Sequence, residues 1–408
     1  MARRGTARTA LAAALTVPLL VGACGGGSAG GAASGDPGTL RVLDYYNSDP
    51  NATLWNDAVM ACGEQVGVEI DREAVPGESL IQKVLQQSSS RTLPDVLMLD
   101  NPDVQQIAAS GALAPLGELG VDSTGVAEGV LKASTYEGEL YALQPVTNTI
   151  ALFYNKTVLE QAGIQPPTTW DELKTAAAAL TEGDRYGFAM SNINTYEGTW
   201  QFLPFMWSNG GDEKDIATPE TAAALQLVKD MVDSGSLSKS SVNWSQADVA
   251  DQFAAGNAAM MINGPWNFGV LDPVEGLEYG IVPIPAPTAG GTVVSPFGGE
   301  AWAIPQTGDQ AKQQKAAELV QCLTGDENQV EISVATGTVP TKPELAGQVS
   351  AQNPNLATFA EQVPDLRART GELGPDWPKA ATKIYTAVQN ALVGGMTPEE
   401  ALRQAQDG

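Results

Sequence analysis

The segment TLRVLD at Thr39–Asp44 begins an alternation of short apolar runs with longer amphipathic runs. Four further runs continue it, with helical and strand periodicity in turn: Ala52–Val66, Val68–Ala74, Ser79–Ser89 and Asp95–Leu99. Strands that alternate with helices in this way form parallel sheets through right-handed crossovers. The sequence therefore predicts an α/β fold that opens with a βαβαβ unit.

The ends of these strands carry the first candidate ligand contacts. Parallel strands place their carboxyl ends at one edge of a sheet, and open α/β folds bind ligands at that edge. The residues that we expect there are Asp44, Tyr45, Tyr46, Asp100 and Asn101. For Asp44 and Asn101, a role as a turn or helix N-cap residue is an equally good interpretation.

Residues 1–23 have the layout of the signal peptide of an exported lipoprotein. Three arginines precede an uncharged stretch that ends in VGA before Cys24. Its roughly 15 apolar residues are too few for a transmembrane helix, which needs about 20. We expect cleavage before Cys24, lipid on its thiol and a flexible Gly/Ser/Ala tether over residues 24–38. The pair Arg3-Arg4 leaves twin-arginine export open, although the usual apolar residues soon after it are missing.

The composition excludes several partners and reactions. Without residues 1–23 the chain carries 19 basic and 48 acidic residues, a formal charge of −29. This charge argues against nucleic acid and against membrane contact other than through an acyl chain, and favours a soluble monomer. The sequence has no histidine, which excludes histidine-based nucleophile systems, HExxH zinc sites and histidine acid-base catalysis. We expect no cofactor, metal site or catalytic residues, but a carboxylate-pair glycosidase remains open.

Several short segments, none decisive alone, occur in a recognisable order along the chain. They are Pro94-Asp95-Val96, Ala109–Leu113, Leu152–Lys156, Pro167–Leu173 with a predicted capping box at Thr169 and Glu172, Phe253–Met260, Gly264-Pro265-Trp266, Gly298-Gly299, Ala316–Leu323 and Gly337–Pro340. Together they resemble the extracellular solute-binding proteins (family 1) of carbohydrate ABC importers, over nearly all of residues 39–408. The resemblance implies a two-lobed periplasmic-binding-protein-like fold of type II, in which three hinge crossings join the lobes around a ligand cleft.

The resemblance also places the hinge and the lobes on this chain. The crossings fall near Pro145–Ile150, Phe297–Trp302 and Val339–Lys342. Lobe 1 would comprise residues 39–147 and 301–340, and lobe 2 would comprise residues 148–300 and 341–408. Each crossing carries polar or small residues where a core strand would be apolar: Asn148, Gly298, Gly299, Glu300 and Thr341. Glycine lets the backbone flex and approach a ligand closely.

A pyranose has a hydroxyl rim and apolar C–H faces, so its site needs polar side chains and aromatic rings. The resemblance implies that Trp266 stacks on the sugar, that Trp200, at the start of a predicted helix, is a second cleft aromatic, and that Asn148 is a polar hinge residue. Further candidate contacts are Gly298, Gly299, Trp244, Glu300, Trp302 and the loop residue Trp377. Glu300 and Trp302 share strand parity, so both could face the cleft while Ala301 and Ala303 pack inward. Core packing is the alternative for Trp200 and Trp266.

These features predict a non-catalytic receptor of an ABC importer, anchored by lipid to the outer face of the cytoplasmic membrane. It would bind a neutral mono- or oligosaccharide and deliver it to permease subunits driven by a cytoplasmic ATPase. Arginines outside Arg367 and Arg369 are sparse in the cleft-forming segments, which disfavours an anionic ligand. The strand ending Leu99-Asp100 lacks the aromatic residue of maltose-binding proteins, which disfavours maltose. A binder of a glycerophosphodiester, polyamine or peptide is the alternative, and a tethered glycosidase is a third class.

The two remaining cysteines are candidates for a disulfide. Cys62 and Cys322 each stand near the C-terminal end of a predicted helix, and the lobe assignment implied by the resemblance puts both helices in lobe 1. In an exported, oxidised chain we predict that they pair. Two separate buried thiols are the alternative interpretation.

Overall fold

The structure is a computed structural model that describes residues 38–363 and 366–408. The predicted signal peptide, Cys24 and the tether up to residue 37 lie outside the described residues. The strands are β1 (Thr39–Asp44), β2 (Glu69–Ala74), β3 (Val96–Asp100), β4 (Thr135–Tyr136), β5 (Glu139–Leu140), β6 (Ala142–Leu143), β7 (Val146–Thr147), β8 (Ala151–Asn155), β9 (Met260–Asn263), β10 (Tyr279–Val282), β11 (Glu300–Ala303) and β12 (Val339–Pro340).

Helices surround these strands. They are α1 (Asn51–Val66), α2 (Gly77–Ser90), α3 (Asn101–Ala109), α4 (Glu128–Ala133), α5 (Lys156–Ala162), α6 (Trp170–Leu180), α7 (Tyr196–Ser208), α8 (Pro219–Asp233), α9 (Gln246–Ala254), α10 (Phe268–Leu271), α11 (Gln310–Leu323), α12 (Asp326–Thr336), α13 (Ala346–Gln352), α14 (Ala357–Gln362), α15 (Trp377–Leu392) and α16 (Pro398–Asp407). Within residues 38–363 and 366–408, none of the helices has the length and apolar character of a membrane span.

The first sheet has the strand order β2-β1-β3-β11-β6. β1 pairs in parallel with β2 and β3, which confirms the pattern predicted from the βαβαβ unit. β11 comes from much later in the chain and runs antiparallel between β3 and β6. Apolar clusters cover both faces of this sheet, one around Trp55 and Trp302 and the other around Leu97 and Ile107. The body built on it is called lobe 1 below.

The second sheet has the order β10-β8-β9, and its neighbouring strands are antiparallel. A large apolar cluster joins β8 and β9 to α6, α7 and α8, and it also includes Ile384 of α15 and Leu402 of α16. The last helices of the chain therefore complete this second body, which is called lobe 2 below. Thr169 caps α6 together with Glu172, which confirms the predicted capping box.

The three predicted crossings lie side by side. β7 pairs with β12 through Thr147 and Val339, and the next residue, Asn148, forms an antiparallel bridge with Gly298. The Gly298 N–H donates to the Asn148 carbonyl at 2.9 Å. The chain thus passes between the two sheets through hydrogen-bonded neighbours, as a hinge of this kind requires, while the residue limits of the lobes stay a prediction.

A disulfide joins α1 to α11 in lobe 1. The Cys62 and Cys322 sulfurs are bonded, and their Cα atoms are 5.8 Å apart. The bond links positions 260 residues apart in sequence, which confirms the predicted pairing.

Candidate functional site

The site forms where the carboxyl end of β3 and the start of β11 in lobe 1 meet α7 and residues 366–373 of lobe 2. β11 and β3 are in register, so that Glu300 lies opposite Asp100. Gln144 follows Leu143, which pairs with Trp302 on the other side of β11. The interlobe site, as defined here, consists of Asp100, Asn101, Gln144, Trp200, Glu300 and Arg369.

Arg369 connects the two lobes. Its guanidinium is stacked 4.6 Å from the ring centroid of Trp200 and 5.3 Å from that of Trp377. The same group donates two hydrogen bonds to the carboxylate of Asp100, one of them from Nη1 to Oδ2 at 2.9 Å. Because Arg369 is only 3% exposed, a desolvated cation is held by aromatic faces and neutralised by a carboxylate. Sequence reasoning noticed Arg369 only as one of two isolated arginines and missed this pairing.

Arg367, two residues earlier, makes the corresponding arrangement outside the interlobe site. Its guanidinium is 4.6 Å from the ring centroid of Trp207, and Nη2 lies 3.0 Å from carboxylate oxygens of Asp212 and Glu213. Trp200 and Trp207 are seven residues apart on α7, a helical spacing that places them on one face. Two stacked arginines therefore hold the segment 366–373 against α7. Both arginines already have carboxylate partners.

Glu300 is a buried carboxylate without an ion pair among residues 38–363 and 366–408. The Tyr45 hydroxyl donates a hydrogen bond to Oε1, whereas Oε2 has no partner within the described chain. Burial raises the pKa of Glu300, and the hydroxyl groups of Tyr45 and Tyr46 act in the opposite direction. A buried carboxylate oxygen without a partner in the described chain needs a donor from outside it, which a bound water or a ligand can supply.

Other polar atoms beside Glu300 also lack partners within the described ranges. Both amide atoms of Gln144 and Oδ1 of Asn101 are buried and unpaired, although the Asn101 amide donates to the Gly299 carbonyl at 3.1 Å. On the lobe 2 side, Nε1 of Trp200 and Nε of Arg369 are unpaired donors. Sequence reasoning missed Gln144, for which the only signal was a polar residue between the apolar strands β6 and β7. The interlobe site thus offers unpaired acceptors and donors that can hydrogen-bond a polar ligand.

Gly298 and Gly299 let the crossing pass close to these side chains. A Cβ at Gly298 would lie 2.0 Å from Oδ1 of Asn148 and 2.5 Å from Cη2 of Trp200. A Cβ at Gly299, whose φ is +114°, would lie 2.8 Å from Nε2 of Gln144. Only glycine fits at either position, which places the backbone itself against the interlobe site.

Asp103 and Tyr196 make a second contact between the lobes. The Tyr196 hydroxyl donates to Oδ1 of Asp103 at 3.4 Å. Burial, and to a smaller extent the nearby charge of Asp100, raise the pKa of Asp103 to about 8, although Arg369 and the hydrogen bond from Tyr196 oppose the shift. Sequence reasoning did not identify this pair, because Asp103 reads as an ordinary acidic residue in the first turn of a helix.

Two of the predicted contacts, Asp44 and Trp302, have structural partners in this structure. Asp44 is fully buried, and the Arg72 guanidinium donates to both of its oxygens at 2.6 and 2.8 Å; it acts in a structural ion pair and turn. Trp302 is also fully buried and packs 5.7 Å from Trp55 in the lobe 1 core. The parity argument fails for Trp302 because helices cover both faces of β11.

The remaining tryptophans have mixed surroundings. Trp377 is not a loop residue: it begins α15, is fully buried and packs edge-on against Tyr196 at 5.1 Å. Trp200 lies in the second turn of α7, not at its start, and is 5% exposed. Trp244 is half-buried and packs edge-on against Tyr186. Trp266 is half-buried beside Gly264, on the edge of the lobe 2 core, and its contact with ligand stays a prediction.

Known proteins share both the sequence pattern and the fold. The family model for bacterial extracellular solute-binding proteins matches residues 57–358. A binding protein of Brucella abortus (strain 2308) is 27% identical over 389 residues, which is 91% of this chain and 93% of the relative. A maltooligosaccharide ABC transporter solute-binding lipoprotein of Streptococcus pneumoniae (strain ATCC BAA-255 / R6) is 22% identical over 395 residues, covering 91% of this chain and 89% of the relative. The crystal structure of an ABC transporter solute-binding protein from Thermotoga lettingae, bound with α-D-tagatose, has a TM-score of 0.82 at 24% identity, covering 91% and 98% of the two chains.

Proposed function

The chain belongs to the bacterial extracellular solute-binding protein family, and on that premise we propose that it is the saccharide receptor of an ABC importer. The observation that carries the proposal is the interlobe site, where buried polar atoms without partners lie beside Trp200 and a glycine-lined hinge. A sugar supplies hydroxyl groups that both donate and accept hydrogen bonds, and C–H faces that pack on aromatic rings. Relatives that are named for maltooligosaccharide and galactooligosaccharide support the same ligand class.

The pairing of the arginines supports a ligand without negative charge. Arg369 is neutralised by Asp100, and Arg367 by Asp212 and Glu213. A phosphodiester or another anion would find no guanidinium in the interlobe site that lacks a carboxylate partner, and it would lie near the Glu300 carboxylate. A glycerophosphodiester is therefore disfavoured.

A hydrolytic role has less support than binding. A glycosidase needs one carboxyl group to act as acid and a second to act as nucleophile or base. In the interlobe site Asp100 is held in a bidentate pair with Arg369, and Glu300 accepts a hydrogen bond from Tyr45. We propose that the protein binds and releases its ligand unchanged.

The proposed setting is the outer face of the cytoplasmic membrane. Lipid on Cys24 would hold a monomeric receptor there, and permease subunits with a cytoplasmic ATPase would take up the sugar. Three crossings between the sheets support closure around the ligand before delivery.

A thermal-shift screen of the protein without residues 1–23, against mono- and oligosaccharides, tests the proposal. A ligand at 100 times its Kd stabilises the folded state by about 2.7 kcal/mol, so a specific sugar should raise the Tm clearly. Chromatography of the same mixtures should show the sugar unchanged. If polyamines or peptides raise the Tm and saccharides do not, the proposed ligand class is wrong.

A further inference from the structure

The interlobe site contains more carboxylate than cation. Arg369 pairs with Asp100, and Arg72 pairs with Asp44 at the adjoining strand end. Each pair is close to neutral as a unit. Glu300, opposite Asp100 in the sheet, is left without a cation in the described part of the chain, so the charge that these pairs leave uncompensated is negative.

The burial of Glu300 makes its uncompensated negative charge relevant to the kind of ligand that the interlobe site binds. Its side chain is only 7% exposed, and a buried carboxylate is costly unless it is paired and hydrogen-bonded. The Tyr45 hydroxyl is a neutral donor, and it satisfies Oε1 while Oε2 stays unpaired within the described residues. A cation that reached Oε2 would complete both the hydrogen bonding and the charge balance.

The neighbouring unpaired acceptors indicate the kind of cation. Oε1 of Gln144 and Oδ1 of Asn101 are buried acceptors without partners among the described residues, like Oε2 of Glu300. A protonated amine has three donors and no acceptor, whereas a hydroxyl group has one donor. Hydrogen bonds between an ammonium group and a carboxylate are also about twice as strong as those between neutral groups.

We propose that the saccharide bound between the lobes carries a protonated amino group and that Glu300 recognises it. The inference rests on the proposed function and narrows its ligand class to amino sugars. An amino sugar differs from the neutral sugar that the sequence predicts. The sequence prediction was based on the scarcity of arginines and did not take the unpaired carboxylate of Glu300 into account.

Calorimetry with matched sugars tests the inference on the unaltered protein. The pairs are glucosamine with glucose, galactosamine with galactose, the 6-amino-6-deoxy form of each hexose with its parent, and the β-1,4-linked dimer of glucosamine with cellobiose. N-acetylglucosamine serves as the uncharged control. We expect the amino member of at least one pair to bind about tenfold or more tightly than its hydroxyl partner, and acetylation to remove the gain.

Two variants assign the preference to Glu300. Glu300→Gln keeps the size of the side chain and removes its charge, and it should reduce the ratio between amino and hydroxyl sugars to about one. Glu399→Gln makes the same change at an exposed position in α16 and should leave the ratio unchanged. The Tm of each unliganded variant reports whether it folds. If Glu300→Gln does not fold, the comparison of matched sugars on the wild-type protein decides the inference by itself.

The possible outcomes separate this inference from the proposed function. If hydroxyl sugars bind as tightly as their amino counterparts in every pair, the inference is overturned and the saccharide receptor stands. If the amino preference persists in Glu300→Gln, recognition by Glu300 is overturned. If no sugar of either kind binds, but another solute does, the proposed function fails as well.

Discussion

The guanidinium of Arg369 lies 4.6 Å from the ring centroid of Trp200, and both residues belong to lobe 2. Because the same guanidinium also holds Asp100 of lobe 1, one side chain covers a face of Trp200 and connects the two lobes. We therefore expect the proposed ligand binding and lobe closure to depend on this one residue. A change at Arg369 should alter both.

Arg369→Gln should open the lobes and weaken ligand binding. The substitution removes the bidentate pair with Asp100 and leaves the half-buried Asp100 carboxylate without its cation, at a cost of about 1–3 kcal/mol. Small-angle X-ray scattering should show a larger radius of gyration, and calorimetry a weaker affinity. Arg403→Gln, at an exposed position in α16, is the matched control. An unchanged radius and affinity in Arg369→Gln would contradict the closing role.

Trp266→Ala and Trp170→Ala should separate binding from stability. Trp266 is half-buried and is predicted to stack on the sugar, so its loss should weaken binding by about 2 kcal/mol and leave the Tm nearly unchanged. Trp170 is 9% exposed and packs against Phe205 at 6.2 Å, so its loss should lower stability by about 3–5 kcal/mol. Calorimetry and denaturant unfolding measure the two effects. A folded Trp266→Ala protein that binds sugar like the wild type would place the cleft elsewhere.

Gly298→Ala should damage the interlobe site through crowding. The added methyl group would collide with Asn148 and Trp200, and overpacking of this kind costs about 1–3 kcal/mol. Gly347→Ala is the matched control, since a Cβ there meets nothing within 4 Å in helix α13, and it should be neutral or slightly stabilising. Urea unfolding compares the two. Equal stability of both variants would show that the crossing has room to spare.

Asp103 should make the protein less stable as the pH rises. Its pKa is about 8 in the folded protein, against an ordinary value of 3.8. The folded state therefore binds more protons between these values, and the free energy of unfolding falls as the pH rises through them, by up to about 1.4 kcal/mol per pH unit. The charged or titratable groups that face Asp103 are Asp100, Arg369 and Tyr196.

Asp103→Asn keeps a polar partner for Tyr196 and removes the titration. The free energy of unfolding, measured from pH 5 to pH 9, should depend less on pH in this variant than in the wild type. The slopes of the two profiles should differ most below pH 8. Superimposable profiles would mean that Asp103 does not hold its proton in the folded state.

Replacement of Cys24 should detach the protein from the membrane. Lipid attachment needs the thiol, so Cys24→Ala should appear either in the soluble fraction or as an unprocessed precursor. Fractionation and mass spectrometry of the N-terminus provide the measurement. A mature Cys24→Ala protein that remains entirely in the membrane fraction would contradict the lipid anchor.

The sequence predicted those features that depend on local patterns. The strands and helices of residues 39–100 agree with their predicted bounds within about two residues, because apolar periodicity is a property of short segments. The capping box at Thr169 depends on two residues three positions apart and was equally readable.

Contacts between distant segments were not readable in the same way. Asp100 and Arg369 are 269 residues apart, and nothing near either one in the sequence marks the other as its partner. Trp302 shows a related difficulty. Strand parity assigns residues to the two faces of β11, but it does not reveal that helices bury both faces. The interlobe site therefore emerged from the fold, although Glu300, Asn101 and Trp200 had each been singled out.

The position of β11 between β3 and β6 determines the order in which the two sheets can form as the chain emerges. A nascent chain that emerges from its N-terminus delivers β1, β2 and β3 first, yet their sheet cannot be completed before Ala303 has appeared. All three strands of the other sheet have emerged by Val282. The earliest segments must therefore wait, with an open sheet edge, while the three strands of the second sheet can already pair. Factors that shield nascent chains during export would be needed most by the N-terminal third of this protein.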